Sequence, residues 1–397
     1  MGTARRPTSN TSPLQETMGA YDAIVLGVGG VGSAALFQLA RRGARVLGID
    51  RFPPGHDRGS SHGQTRLIRK AYFEHPDYVP LALRAYDHWQ ALERETGLTL
   101  YHQVGVLQVG PSGGDVLRGV RESARRHNLP IENLTAQETM ARFKGFWMAD
   151  DYEAVFEQAA GYLLVEPCVE AHARLAVAAG AELHTGEAIR GWRVDGSGVA
   201  VETDRATYTA SRLIITVGAW AGSLLGDLSV ALEVRRKPLY WFATRSEVYQ
   251  SQRGCPAFFF ELPEGAFYGV PQIDAAGVKV GMHSGGRVVD DPLHVDRDID
   301  VDDLEQVAHF VSHFLPKAET RSTDHTVCMY TMTADEHFIV GRHPAHDQVA
   351  MAVGLSGHGF KFTGVLGQAL ADLVLDGQTE LPIGFLAADR PALRPQA

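Results

Sequence analysis

Residues 21–50 read YDAIVLGVGGVGSAALFQLARRGARVLGID and contain the pattern that decides the fold. A short apolar run leads into three glycines spaced G-x-G-x-x-G, a helical pattern and a second apolar run follow, and an acidic residue ends the stretch. In a βαβ unit such glycines allow a tight turn, close approach of a pyrophosphate and close helix–strand packing, and the acid binds a ribose hydroxyl. The predicted dinucleotide-binding residues are Gly27, Gly29, Gly30, Gly32 and Asp50.

Composition sets the class of protein but does not choose between FAD and NAD as the dinucleotide. A chain of 397 residues is long enough for two domains. Its residues are 45% hydrophobic and 21% charged, as in globular enzymes, and its formal net charge of −10 argues against a nucleic-acid or anionic-membrane partner. No apolar run approaches the roughly 18 residues of a membrane span.

Three cysteines without paired spacing argue against a disulfide framework, and no Cys/His spacing suggests a metal site. A cytoplasmic location is the expectation. Residues 1–20 are rich in Ser, Thr and Pro and lack the apolar core of a secretory signal, so we predict a disordered N-terminal extension.

The order of patterns predicts an α/β plus α+β fold. Strand–glycine–helix patterns mark a Rossmann-like domain, and a second one comes late in the chain, where residues 349–375 pass from an apolar run through a Gly-rich loop into a helix. Successive strand patterns after residue 230 predict an antiparallel sheet. We assign residues 21–101, 157–229 and 335–397 to a discontinuous nucleotide-binding domain, and residues 102–156 and 230–334 to an inserted substrate domain.

A few polar residues in apolar or Gly-rich surroundings are candidates for chemistry. Cys328 is by itself most simply a small buried apolar residue. Lys361 lies between two phenylalanines on a glycine loop and is a candidate cation for an anionic substrate. Lys279 alternates with valines, which taken alone favours a solvent-facing position. Arg66 and Arg69, three residues apart, fit one face of a helical turn.

Several longer motifs make the assignment specific. They are SSHGQTRLIRKAY (60–72), KVGMH (279–283), CMYTMTADEHFIV (328–340) and SGHGFKF (356–362). With these motifs the chain resembles the monomeric sarcosine oxidase and N-methyltryptophan oxidase family, among the D-amino-acid-oxidase-like flavoenzymes. The resemblance extends from residue 21 to about residue 377 and implies FAD, not NAD, so the nucleotide-binding domain becomes an FAD-binding domain. It also implies a monomer.

The resemblance implies a covalent thioether between the flavin and Cys328. It implies that Arg69 and Lys361 hold the substrate carboxylate, a task that suits charge-assisted hydrogen bonds. Lys279 matches a lysine over the other face of the flavin that promotes reaction with O2. The other positions that it matches to the site are His62, Thr65, Arg66, Tyr268, His283, Tyr330, Gly357 and Gly359.

The expected reaction is therefore oxidation of a secondary amino acid such as sarcosine, with O2 as acceptor. Gln64 and Lys70 depart from the family pattern, where an acid and a histidine stand. Residues 99–110 and 237–246 also differ, so the substrate side chain stays open. One alternative is a flavin oxidase or dehydrogenase of a larger or cyclic imino acid, such as a proline- or pipecolate-like compound. Another is a flavin-binding protein without catalysis.

Overall fold

The computed structural model describes residues 17–228 and 230–393. Within these ranges the chain forms nineteen strands and eight α-helices. The strands are β1 (Thr17–Leu26), β2 (Val46–Ile49), β3 (Thr65–Ile68), β4 (Tyr101–His102), β5 (Val106–Pro111), β6 (Glu132–Thr135), β7 (Tyr152–Glu157), β8 (Gly161–Leu164), β9 (Glu182–His184), β10 (Ile189–Asp195), β11 (Gly198–Thr203), β12 (Thr207–Ile215), β13 (Glu233–Thr244), β14 (Ala257–Leu262), β15 (Gly265–Val270), β16 (Val278–Met282), β17 (Ala318–Met332), β18 (Ile339–His343) and β19 (His346–Val353). The helices are α1 (Gly30–Ala40), α2 (Tyr78–Thr96), α3 (Asp115–His127), α4 (Ala136–Arg142), α5 (Val165–Ala178), α6 (Ala221–Leu224), α7 (Val301–Phe314) and α8 (Thr363–Leu375).

The first of two eight-stranded sheets carries the glycine motif. At its centre β1 pairs in parallel with β2 and β12, and these pair in parallel with β9 and β19. The antiparallel strands β10, β11 and β18 extend the edges. Parallel strands place their carboxyl ends at one edge, so the loops after β1, β12 and β19 meet there, as expected of an open α/β sheet.

Helices α1, α5 and α8 cover one face of this sheet. All eleven residues of α1 are buried, and a helix that is apolar or small on every side belongs in a core. A Cβ built on Gly367 of α8 would come 2.7 Å from Cβ of Ala34. The two helices, which both begin at the loops that meet at the sheet edge, therefore pack backbone to backbone.

The second sheet runs in the order β17-β13-β16-β15-β14-β5-β7-β6 and is mainly antiparallel. Helix α7 packs on one face through a cluster of aromatic side chains that includes Phe258, Phe267 and Phe310. The other face carries Leu239, Trp241, Tyr268 and Cys328. A small third sheet, β3-β8-β4, holds the segment that contains Arg66.

The structure confirms the α/β plus α+β class but changes some local expectations. Residues 17–20 begin β1, where Thr17 pairs with Thr207, so the predicted disorder is wrong for them. The rest of that prediction, residues 1–16, lies outside the described residues. The fifteen-residue strand β17, which carries Cys328, was not foreseen. The two sheets draw on the segments assigned to the two domains, and the domain boundaries themselves stay a prediction. Among the described helices, none combines the length and apolar character that crossing a bilayer requires.

Candidate active site

A cavity of about 860 Å³ runs along the carboxyl edge of the first sheet toward the second. Gly27, Gly29, Gly30 and Asp50 line it at one end. Residues of the second and third sheets and of the loop before α8 line the other end. These are Arg66, Met329, Tyr330, Gly357, Gly359 and Phe360. The helices α1 and α8 both begin beside it, so their unpaired N–H groups favour negative charge there.

The glycine end has the close packing that a dinucleotide cradle needs. Gly27 has a φ of +81°, and a Cβ there would lie 2.7 Å from the Thr216 carbonyl oxygen. A Cβ on Gly32 would lie 1.8 Å from the Gly27 oxygen, which excludes any side chain. Asp50 accepts hydrogen bonds from the Val28 and Phe52 backbone N–H groups at 2.7 and 2.9 Å. A cavity of about 860 Å³ with this cradle at one end fits FAD.

A second, smaller cavity of about 50 Å³ adjoins the far end of the large one. Arg66, Tyr330, Gly357 and Phe360 line both cavities, so the two are continuous in their walls. The remaining lining residues come from several distant segments. They are Leu67, Arg69, Glu74, Phe259, Tyr268, His283, His358 and Lys361. Seven of the predicted site residues thus meet around one space: Arg66, Arg69, Tyr268, His283, Tyr330, Gly357 and Lys361.

Arg69 and Lys361 supply the cations of this smaller cavity. Arg69 is 4% exposed, and its Nη2 donates to both Glu74 carboxylate oxygens at 2.8 and 3.0 Å. Lys361 Nζ donates to the His358 carbonyl at 2.7 Å and to the Tyr72 hydroxyl at 3.3 Å. An ammonium has three N–H donors, so one remains for a ligand. Sequence reasoning missed Glu74, although an acidic residue five positions after Arg69, just past the end of the motif at residue 72, was a signal.

Burial and a neighbouring charge weaken the charge on Lys361. Loss of solvent, followed by the positive Arg69, lowers the pKa of Lys361 to about 7. Glu74 acts in the opposite direction. An anion bound beside Lys361 would raise this pKa again, because it favours the ammonium form. The pocket is therefore suited to a ligand carboxylate and poorly suited to a positively charged group on the ligand.

His283, Tyr268 and Tyr330 form a neutral polar wall of the small cavity. Burial, and then the charge on Lys237, lowers the pKa of His283 to about 3, so its imidazole is neutral at pH 7. Its Nδ1 lies 3.4 Å from the Tyr330 hydroxyl. Burial raises the pKa of both Tyr268 and Tyr330, which keeps the phenols protonated. A neutral imidazole can accept a hydrogen bond from an amine N–H without repelling it.

Cys328 and Arg66 are in contact next to the large cavity. Arg66 Nη2 lies 3.0 Å from Cys328 Sγ and donates to the Ser60 carbonyl at 3.1 Å. Cys328 itself is 1% exposed and does not line either cavity within the described residues, whereas Ser60, Arg66 and Met329 around it line the large one. Arg66 lies on strand β3 and Arg69 follows it, so the predicted helical turn is wrong: the segment pairs with β8.

Lys279 is buried, at 1% exposure, and the solvent-facing alternative for it is wrong. Its strand β16 lies between β13 and β15 in the middle of the second sheet. Nζ donates to the Gly63 and Thr65 carbonyls at 2.9 and 2.6 Å. Burial, reinforced by Arg66, holds the pKa of Lys279 well below its ordinary value, and Glu166 opposes this. Glu166 Oε1 also accepts from the Gly63 N–H at 2.7 Å, so the turn is held from both sides.

His62 and Thr65 are buried beside this turn. His62 Nε2 and Thr65 Oγ1 have no hydrogen-bond partner among the described residues. Burial lowers the pKa of His62 to about 3, so it is neutral. Neither side chain lines the large or the small cavity. Gln64, a departure from the family pattern, has a φ of +70° and accepts from Trp241 Nε1 at 3.1 Å.

One group of potential metal ligands lies away from these cavities. Ligand atoms of Asp227, His343 and His346 come within 4.8 Å of one another. The Ala345 N–H donates to His343 Nδ1 at 3.2 Å, which assigns the ring proton to Nε2, the atom that faces Asp227. A metal-bound imidazole instead donates from its second nitrogen. We therefore assign no metal to this group.

The FAD dependent oxidoreductase family (DAO) has a model that matches residues 22–373. The chain belongs to this family. Family membership decides the question that the glycine motif left open, since the dinucleotide of the family is FAD. The large cavity, with its glycine cradle at one end, is the candidate site for this cofactor.

Relatives in the family carry the names that the motifs suggested. The chain is 42% identical to a monomeric sarcosine oxidase of Streptomyces avermitilis, and the match covers 94% of this chain and 99% of the relative. It is 35% identical to an N-methyl-L-tryptophan oxidase of Yersinia pestis, covering 93% of this chain and 99% of the relative. The fold matches the open form of NikD, an amino acid oxidase of nikkomycin biosynthesis, with a TM-score of 0.82, 26% identity and coverage of 93% and 98%.

Proposed function

We propose that this protein oxidises a secondary amino acid, with N-methyl amino acids such as sarcosine as the substrate class. Two electrons and two protons leave the amine and its neighbouring carbon, giving an imine, and O2 takes them up as hydrogen peroxide. Water then hydrolyses the imine to an aldehyde and an amine. When bound, FAD supplies the two-electron acceptor that links the two halves of the reaction.

The arrangement that supports this proposal is the small cavity itself. Two cations, Arg69 and Lys361, and the neutral His283 face a space that shares its wall with the FAD-sized cavity. The cations bind and orient a carboxylate, and their charge disfavours an ammonium beside them, which keeps the amine uncharged and able to lose hydride. The neutral His283 imidazole accepts a hydrogen bond from the amine N–H. At about 50 Å³ the space holds roughly four waters, which favours the smallest N-methyl amino acids.

Anaerobic mixing with sarcosine tests the proposal directly. We expect the visible absorption band of the oxidised flavin to bleach, and hydrogen peroxide to form once air is admitted. Bleaching with pipecolate or proline but not with sarcosine would instead favour an oxidase of cyclic imino acids. No bleaching by any of these amines would contradict an amine oxidase.

We also propose that Cys328 carries the flavin as a covalent thioether. Its contact with Arg66, which lines the large cavity, and its place opposite Lys237 in the β13–β17 pair support this role. In wild-type protein, denaturation and filtration should leave the flavin on the chain, whereas Cys328→Ala should release it. Cys255→Ala is the matched control, because Cys255 is buried in the aromatic cluster under α7. A wild-type chain that loses its flavin would contradict the linkage.

The titration of Lys361 predicts a pH dependence of carboxylate binding. Its pKa of about 7 means that the ammonium is lost as pH rises through neutrality. The affinity for acetate, a probe without an amine, should therefore fall above pH 7, approaching about tenfold per pH unit. Spectral titration of the flavin between about pH 6 and 9 measures this. Lys361→Met should bind acetate weakly with a flat profile, and a wild-type profile that rises with pH would contradict the assignment.

We propose the two sheets, with their helices, as the FAD-binding and substrate domains. We also propose that the protein acts as a monomer, as the name of its monomeric sarcosine oxidase relatives suggests. Gel filtration with light scattering tests this, and an active dimer that loses activity on dilution would contradict it.

A further inference from the structure

Lys237 is a buried lysine that the expected chemistry does not use. It lies on β13, is 2% exposed, and interrupts a strand whose following residues are apolar. In the pairing of β13 with β17 it stands directly opposite Cys328. Residues directly opposite in a pair project to the same face, so Lys237 belongs to the face of the second sheet that carries Cys328 and Tyr330.

Its ammonium is fully satisfied by one backbone turn. Nζ donates to three successive carbonyls, those of His283, Ser284 and Gly285, at 2.9, 2.8 and 3.1 Å. A buried ammonium is costly unless all three of its N–H groups are paired, and here they are. The three carbonyls converge because the chain turns through positive φ at Gly285 (62°) and Gly286 (103°).

The first residue of this turn belongs to the small cavity. The His283 imidazole lines that cavity, next to Tyr330 and 5.5 Å from the Phe259 ring. Lys237 Nζ itself lies 5.0 Å from the Tyr330 ring centre. Without Lys237 the three carbonyls would lose their common partner. The turn would then be held by the bond from the His283 N–H to the Ala266 carbonyl at 2.7 Å and the bond from the Ala266 N–H to Ser284 Oγ at 2.8 Å, a weaker hold on the His283 imidazole.

We propose that Lys237 is a positioning residue for substrate recognition, whose ammonium fixes residues 283–285 and thereby holds the His283 imidazole against the bound amine. This inference rests on the proposed function for its link to substrate. That Lys237 fixes the backbone of residues 283–285 does not depend on that function. Lys237 does not touch the substrate, so its effect is on affinity and orientation.

The test compares Lys237→Met with Arg236→Met in FAD-loaded protein. Arg236 directly precedes Lys237 on the same strand and is 3% exposed, but it projects to the opposite face and binds Asp303 and the Asp296 carbonyl. We expect Lys237→Met alone to raise KM for sarcosine roughly 10–100-fold, with kcat changed less than about threefold. Lys237→Gln, which keeps two donors, should restore part of the affinity.

Hydrogen exchange provides the readout that does not depend on turnover. Amides of residues 283–287 should exchange roughly tenfold faster in Lys237→Met than in wild type. In Arg236→Met their exchange rates should equal those of wild type. Unchanged exchange, or faster exchange without a change in KM, would overturn the proposal, and so would equal KM changes in both variants. If the wild type is not reduced by sarcosine or other N-methyl amino acids, the proposed function fails, while the exchange data still decide whether Lys237 fixes the turn.

Discussion

Replacing Lys279 with methionine should slow reoxidation of the reduced flavin by O2 roughly 100–1000-fold, the usual cost of removing one charged donor from a developing anion. Reduction by substrate should change less than about tenfold, because the carboxylate cations are separate from Lys279. Stopped-flow mixing of reduced enzyme with oxygen, and of oxidised enzyme with sarcosine, measures the two steps separately. The expected asymmetry follows from where charge appears: O2 gains an electron and becomes anionic.

The environment of Lys279 makes this prediction sharp. Burial lowers its pKa, so the resting lysine carries less charge than an exposed one. A negative charge beside it would raise that pKa and draw a proton onto Nζ, which ties protonation to the arrival of electrons. Lys317→Met, at an exposed lysine of the same domain, is the matched control and should alter neither step. Equal rates of flavin reoxidation in Lys279→Met and wild type would contradict a role of Lys279 in the reaction with O2.

Local spacing was enough to predict the nucleotide-binding part of the fold. The glycines of the first motif act through contacts within one βαβ unit, so a turn that forbids a Cβ at Gly32 can be recognised from sequence. The late pattern of residues 349–375 is confirmed in the same way, since β19 ends at Val353 and α8 spans Thr363–Leu375. The roles of single side chains came from longer motifs, since a lone cysteine or lysine has no local signature.

What the sequence could not show depends on pairing between distant strands. Alternation made Lys279 look exposed on one face, but β16 is a central strand covered on both faces, where alternation carries no such information. Lys237 meets Cys328 only through the register of β13 with β17, about ninety residues apart in the chain. Glu74 reaches Arg69 only because β3 ends at residue 68 and the chain then turns.

The pairing of Arg69 with Glu74 leads to the second large effect. Arg69→Gln should lower kcat/KM for an N-methyl amino acid roughly 100–1000-fold, as expected for loss of a buried charge pair with a ligand. Two causes would give the same single-variant result. In the first, Arg69 binds the substrate carboxylate, and the variant loses that bond. In the second, Arg69 only neutralises Glu74, and in the variant the unpaired charge of Glu74 repels the substrate carboxylate.

The double variant separates the two causes. If Arg69 binds the carboxylate, Arg69→Gln costs a similar factor whether residue 74 is Glu or Gln, and Glu74→Gln alone improves affinity because Arg69 is released from its internal partner. If Arg69 only neutralises Glu74, the double variant recovers nearly full activity, which would contradict the assignment. An N-methyl amine without a carboxylate gives the final check. It should react poorly with wild type and lose little further in Arg69→Gln, since a cation can contribute only to a ligand that brings the matching charge.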